Sequence, residues 1–492
     1  MRIAFLPADG RPVTRGAFLA LAGIGGFEVL TPPVEWLGHL KAPADVDRLW
    51  RWIDGPARDA DVLIASAELS LYGGLVPSRI GDEPLERLLG LAARFEDARR
   101  SAPRRSVLLA ATNLRMPSVS DASEEPAYCA AFGADIFAHS FHADRYAQTQ
   151  DPASRDAAEA ARGKIPPAVL ADVRARRARN LAVLLALVDL AASGVIDALL
   201  IGQDDAAEYG WTRRDLHAVE AAIRERGASR RAAVTYGTDE LTARLLARAV
   251  VAERGGTPRV RVAYSFPSNR LGIPRYEGQA LDQTVTSHVE TAGCRRTDGP
   301  ADLTLFVHNF PGAQEEASRQ PVRADAGDLD GWLQEIAEAS ARGPCGLADV
   351  RYANGADRAL VARLLAAPWG DEPRAYGGWN TASNTLGMVL AQSLLPANAR
   401  GRAFTILRLL DDWAYQTEVR QRLAAEVLPN FPEAGPEDLG EAYGACRAAA
   451  ADWLAREFVP PIERSFGRKI TIERVEFPWR RLFHIDLRVR IE

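Results

Sequence analysis

The chain has little of what cross-links a small or extracellular fold. Its four cysteines, Cys129, Cys294, Cys345 and Cys446, are scattered over 492 residues with no CxxC and no Cys/His ligand spacing. Neither a disulfide framework nor a zinc site is expected, and a reducing compartment fits. No run approaches the roughly 20 apolar residues of a membrane-spanning helix. The opening RIAFLP has the length of a strand, not of the apolar core of a secretory signal, so a cytoplasmic protein is expected. The sixty basic residues, nearly all Arg, form no block and are outweighed by 65 acids. Nucleic acid and anionic membranes bind clustered positive charge, so neither is an expected partner. The glycines of SLYGGL and GIGG lack the spacing and the lysine of a phosphate-binding loop, and no GxSxG elbow is present. His139 and His142, three apart, do not by themselves supply a metal's ligand count. No metal and no organic cofactor are expected.

What is present is a long βα rhythm. The composition, 47% hydrophobic and 25% charged, is that of a globular chain with room for a large core. Strand-like runs at Arg2–Leu6, Glu28–Thr31, Val62–Ser66, Ser106–Ala111, Ala198–Ile201, Ala232–Tyr236, Val260–Tyr264 and Leu303–His308 alternate with amphipathic helical stretches. Weaker strand signals follow near Leu347–Tyr352 and Ala375–Gly377. Alternation of this kind predicts an α/β fold with a parallel sheet, here a (β/α)8 TIM-type barrel over residues 1–400. A polar excursion or lid is expected at about 118–167, and residues 401–492 read as a C-terminal α+β addition of two long helices and a β-hairpin. In the first of those helices Asp411 and Asp412 are expected on a solvated face.

Candidate functional residues recur just after the strands, the face where α/β folds keep their sites. The strongest are Asp204 and Asp205 in DALLIGQDDAAEYGW. Their role as helix caps looks already filled, because Thr212 and Asp215 form a capping-box signature for a helix from about Arg213. For both acids to reach one substrate the chain must curl after Gly202, which a glycine permits. Asp9 and Arg11 follow the first strand, Glu68 and Tyr72 the third, and Asn309, Trp379 and Asn380 later ones; with Tyr209 they are the expected substrate-binding residues. Amides and an indole suit sugar hydroxyls and a sugar face, and the Arg11 fork suits a hydroxyl or carboxylate. Thr381 and Asn384 have the pattern of a helix cap.

Longer motifs carry a resemblance. LPADGRP, SLYGGLVPSR, VHNFPGAQEEA, ADVRYANGAD, GGWNTASNTLG and RLLDDWAYQTEVR together resemble the bacterial domain-of-unknown-function family 4127 over essentially the whole chain. More distantly, Asp204-Asp205 and His308-Asn309-Phe310-Pro311 are similar to the strand-end Asp-Asp pair and the later Asp-Asn-Tyr-Pro motif of the O-GlcNAcase-like glycoside hydrolases, with His308 standing where that family has an aspartate. This second resemblance implies substrate-assisted, retaining hydrolysis of an N-acetylated amino sugar. Asp204 would orient the acetamide, Asp205 would be the general acid, and Tyr209 would support the oxazoline oxygen. Adjacent carboxyls push each other's pKa values apart, which keeps one protonated. Two other functions compete with this β-N-acetylhexosaminidase-like reading. One is a metal-dependent isomerase, lyase or hydrolase using Asp204, Asp205, Glu240 and a histidine of the excursion; the other is a non-catalytic carbohydrate-binding protein. The expected partner is a small carbohydrate, and a homo-oligomer is left open.

Overall fold

Strands such as Val62–Ser66 and Ala198–Gln203 are buried at every position, the pattern of parallel strands covered on both faces. The computed structural model describes residues 1–204, 207–321, 329–366, 368 and 374–492. It divides into two interleaved units. The first comprises Met1–Gly10, Phe27–Leu245 and Tyr276–Gln279; the second comprises Arg11–Gly26, Leu246–Arg275 and Ala280–Glu492.

The first unit holds β1 (Arg2–Leu6), β2 (Glu28–Leu30), β3 (Val62–Ser66), β4 (Ser106–Asn113), β5 (Ala198–Gln203) and β6 (Ala232–Tyr236) in one sheet ordered β2-β1-β3-β4-β5-β6. Every neighbouring pair is parallel. Its core packs Leu63, Leu109, Leu199 and Ile201 of the strands against Trp50, Phe95, Leu187 and Val188 of the helices. Trp50 is fully buried, yet its indole donates to the Ser70 carbonyl at 2.9 Å, so the largest side chain of this core leaves no polar atom unpaired.

The second unit holds β7 (Arg259–Tyr264), β8 (Arg295–Arg296), β9 (Leu303–His308), β10 (Glu315–Glu316), β11 (Cys345–Asp349), β12 (Tyr352–Ala353), β13 (Arg374–Gly377), β14 (Ile470–Glu476) and β15 (Asp486–Ile491). Five of these form a parallel sheet ordered β13-β11-β9-β7-β8, β10 and β12 pair on their own, and β14 and β15 form an antiparallel hairpin. Residues 401–492 lie wholly in this unit, and the hairpin packs into its core through Ile470, Val475 and Ile485.

The fold is therefore mixed α/β with parallel sheets, and the single barrel expected from the rhythm is corrected to two open sheets. A barrel needs each strand added on the same side until the last meets the first. Here β1 takes β2 on one side and β3 on the other, and β7 does the same with β8 and β9. That reversal defines a doubly wound sheet, whose ligands bind beyond the strand carboxyl ends where the order reverses. Alternating βα units are common to both architectures, so periodicity alone does not separate them.

The segment expected as a polar excursion is largely helical, with helices Cys129–Thr149 and Pro152–Lys164 packed on each other. Alanine-rich sequence favours helix in both, and Asp151 caps the second by accepting from Ala153 N at 3.1 Å. The helix after Asp204 also starts differently from expectation. It spans Trp211–Glu225 with Thr212 inside its first turn. Its first amides are taken by the neighbouring helix: Gly210 N donates to Asp144 Oδ2 and Trp211 N to Ser140 Oγ, both at 2.8 Å. Asp215 is drawn away to Arg177 at 2.5 Å.

Candidate functional site

At the carboxyl end of the first sheet β5 runs extended through Gln203 and delivers Asp204. Gly202 serves close approach here, inside the extended strand; the curl expected after it leads to residue 205, which lies outside the described residues. A Cβ at Gly202 would lie 2.3 Å from the Gly237 carbonyl oxygen and 2.7 Å from Leu241 Cδ1. Asp204 Oδ2 accepts from Arg79 Nη2 at 2.7 Å and lies 3.7 Å from Arg115 Nη1. Arg79 comes from the short helix Leu75–Ile80, and its Nη1 also donates to Glu124 Oε2 at 2.7 Å. Arg115 Nε donates to Glu125 Oε1 at the same distance. Two guanidiniums thus hold three carboxylates together, with Arg79 only 4% exposed and Asp204 19%. Among the described residues Asp204 Oδ1 has no hydrogen-bond donor. Asp205, the expected acid, lies outside the described residues.

Beside these arginines is a cavity of about 40 Å³, room for a water or two. A larger open groove of about 480 Å³ is lined by Lys41, Ile80, Glu125, Tyr128, Asp172 and Arg176. Tyr209 packs edge-on against Phe141 with ring centroids 5.6 Å apart.

Asp9 and Glu68 follow β1 and β3, the two strands that flank the reversal of strand order in this sheet. Both are buried. Glu68 Oε2 accepts from Ser66 Oγ and Oε1 from Thr112 N, each at 2.6 Å. Burial nevertheless pushes the Glu68 carboxyl above its ordinary range, those hydrogen bonds opposing it. Burial likewise raises the Tyr72 phenol, against the pull of the nearby Arg179 guanidinium. Glu240 is fully buried and paired with Arg244 at 3.2 Å on the same helical face.

In the second unit the strand ends gather a different set. His308 closes β9 with its Nε2 2.9 Å from Asp357 Oδ2 and its Nδ1 2.9 Å from Ser265 Oγ, just beyond β7. Asp349, the last residue of β11, accepts from Asp357 N at 2.7 Å and from Arg351 N at 3.3 Å. Burial drives the Asp349 carboxyl up, with His308 pulling it down and Asp357 adding to the rise. Burial also acts upward on Asp357, but the hydrogen bond and charge of His308 outweigh it and hold that carboxyl below its usual range.

Asn309 is fully buried: its Oδ1 accepts from Phe266 N at 2.8 Å and its Nδ2 donates to Phe266 O at 2.9 Å. The amide expected at a sugar hydroxyl therefore ties the β7 and β9 loops together. Trp379 is 6% exposed, lies against Phe483 and His484, and its Nε1 has no hydrogen-bond partner among the described residues. Asn380 adopts a left-handed φ of 70°, and its carbonyl accepts from Asn354 N at 3.0 Å. Arg11 Nη1 lies 3.0 Å from His484 Nε2, with its guanidinium 4.8 Å from the Trp479 ring centroid. Thr381 caps the helix Ala382–Ser393 through Asn384 N.

Asp411 and Asp412 are not on a solvated face. Both are buried, and Arg408 bonds Asp411 Oδ2 at 2.9 Å and Asp412 Oδ1 at 3.1 Å. Asp412 Oδ2 also accepts from Gly378 N at 2.8 Å. An arginine three and four residues before the two acids, on the same helical face, was the signal available for this pairing. Ser265, Asp349 and Asp357 were also missed, although each lies at or soon after a strand end.

The structure places strand-end acids and arginines on two parallel α/β sheets, and among the described residues no group of three or more His, Cys, Asp or Glu side chains is placed to hold a metal ion. The chain belongs to the protein family of unknown function DUF4127, whose model matches residues 3–488. No curated protein matches it. Among solved structures it is similar to a ketoreductase domain from the bacillaene assembly line at 10% identity, covering 84% of this chain and 90% of that one with a TM-score of 0.13.

Proposed function

We propose that the protein is a glycoside hydrolase acting on N-acetylated amino sugars, with Asp204 and Asp205 as its reacting carboxyls. The observation that carries this proposal is the ion pairing of Asp204. Its Oδ2 is fixed by Arg79 and its Oδ1 is left without a donor among the described residues. A carboxylate held this way is an acceptor of fixed orientation, the property needed to receive an acetamide N–H while positive charge develops on that nitrogen. The acid role falls to Asp205, in keeping with the division of labour implied by the distant O-GlcNAcase-like resemblance. The groove reached by Glu125 has the volume of a small-ligand site, and Tyr128 supplies it with an aromatic face. A proton-donating acid at Asp205 and an ion-paired acceptor at Asp204 together do what a substrate-assisted glycosidase requires without a protein nucleophile.

The test is hydrolysis of 4-nitrophenyl N-acetyl-β-glucosaminide and its galacto epimer by the purified chain. Turnover that disappears in Asp205→Asn while substrate still binds supports the proposal. Equal rates in wild type and Asp205→Asn overturn it.

A further inference from the structure

The second sheet has its own reversal of strand order, between β7 and β9, and Ser265 just beyond β7, His308 at the end of β9 and Asp357 beyond β12 form a hydrogen-bonded chain. Ser265 Oγ lies 2.9 Å from His308 Nδ1, and His308 Nε2 lies 2.9 Å from Asp357 Oδ2. Proton positions follow from the partners. The Asp357 carboxylate can only accept, so Nε2 carries the hydrogen; when His308 is the neutral imidazole, Nδ1 presents its lone pair and the Ser265 hydroxyl donates to it. Asn309 Oδ1 is a second acceptor for that hydroxyl, but at 3.4 Å it is the poorer one.

From this arrangement we infer that Ser265, His308 and Asp357 form a nucleophile, base and positioning residue for acyl transfer from aliphatic carboxylic esters, an activity independent of the glycosidase proposal. Several further features fit it. His308 and Asp357 are 1% and 2% exposed, so the relay is shielded, while Ser265 is only half-buried. Asp357 is itself anchored at both ends: its N–H donates to Asp349 Oδ2 at 2.7 Å, and its Oδ1 accepts from Ala359 N at 2.8 Å. Asn309 N donates to Ser265 Oγ at 3.1 Å, which fixes the hydroxyl and leaves it a lone pair for attack. The Arg351 guanidinium, 5.1 Å from the ring centroid of Phe266, makes no salt bridge among the described residues and is a cation available to a developing oxyanion. The segment after Ser265 exposes Leu271 (64%) and Ile273 (51%), apolar side chains that suit an acyl chain. Asn269 Nδ2 ties that segment to the carbonyls of Phe310 and Gly312.

In the reaction, Ser265 Oγ attacks the ester carbonyl carbon as its proton passes to His308 Nδ1. The bond to the alkoxy oxygen then breaks, and His308 returns the proton to the leaving alcohol. Water attacks the acyl-serine with His308 again as base, which releases the carboxylic acid and restores Ser265.

The full chain is treated with a fluorophosphonate probe and the modified peptide is read by mass spectrometry; hydrolysis of 4-nitrophenyl butyrate is followed in parallel. One phosphonyl group on Ser265, absent in Ser265→Ala, is expected. Asp357→Asn lowers kcat for the ester by about 10³–10⁴-fold, as loss of the orienting carboxylate does in such relays. KM stays unchanged, and Asp357→Glu recovers part of the loss. An unlabelled Ser265 in protein whose circular dichroism is native overturns the inference. So does labelling that proceeds equally fast in a folded Asp357→Asn variant. Loss of aryl N-acetylhexosaminide turnover in Asp205→Asn leaves these readouts untouched, so the two activities are separately testable.

Discussion

Arg79 and Asp204 meet at 2.7 Å although 125 residues separate them, and Arg79 is the more deeply buried partner. The same guanidinium also holds Glu124, so its removal takes the shorter ion pair from two carboxylates at once and leaves both to the more distant Arg115. Arg79→Leu is expected to destabilise the fold by about 3 kcal/mol, the low end for a broken buried pair because Asp204 and Glu124 keep some solvent contact. Denaturant unfolding measures this. A loss below about 0.5 kcal/mol, the scale of a surface pair, contradicts the assigned role.

Gly202 gives a prediction of a different kind. Its missing Cβ is what lets the Gly237 carbonyl approach β5, so Gly202→Ala forces backbone apart. A penalty of about 1–3 kcal/mol is expected from overpacking, seen as a lower midpoint in thermal unfolding. An alanine variant as stable as wild type removes the close-approach argument.

Asp349 makes stability depend on pH. Burial raises its carboxyl to about 7 in the folded chain, above the ordinary value of 3.8. The folded state therefore favours the protonated form, and this contribution is fully present below about pH 4 and lost as pH rises to about 7. Asp349→Asn, which keeps the shape without the charge, is expected to gain on wild type across that window by on the order of a few kcal/mol. Chemical denaturation at pH 5 and pH 8 decides it; a difference between variant and wild type that does not grow with pH contradicts the assignment.

Much of the fold was legible in the sequence because parallel strands buried on both faces read as short apolar runs bounded by polar turns. Arg2–Leu6, Val62–Ser66, Ala232–Tyr236 and Leu303–His308 form strands with the bounds their patterns predict. Sheet closure was not legible, since the placement of β2 and β3 on opposite sides of β1 is set by long-range packing and leaves no local mark. The site was half legible for a related reason. Asp204, Asp9 and Glu68 stand out as acids after strands, but Arg79 is 125 residues from its partner and lies on a helix. The Asp411-Asp412 pair was misjudged because helical position alone does not say which face is covered. The buried Asn309 shows the converse, a polar residue at a strand end whose hydrogen bonds hold backbone.

Asp204 is proposed as a fixed acceptor for the acetamide of an amino sugar. Titration calorimetry with an N-acetylglucosamine-derived thiazoline, a stable mimic of the oxazoline intermediate, tests it most directly. Binding to wild type that weakens by about 10²-fold or more in Asp204→Asn is the expected result, as for loss of a buried charge-assisted hydrogen bond. No binding to folded wild type, or equal binding to both proteins, contradicts the claim.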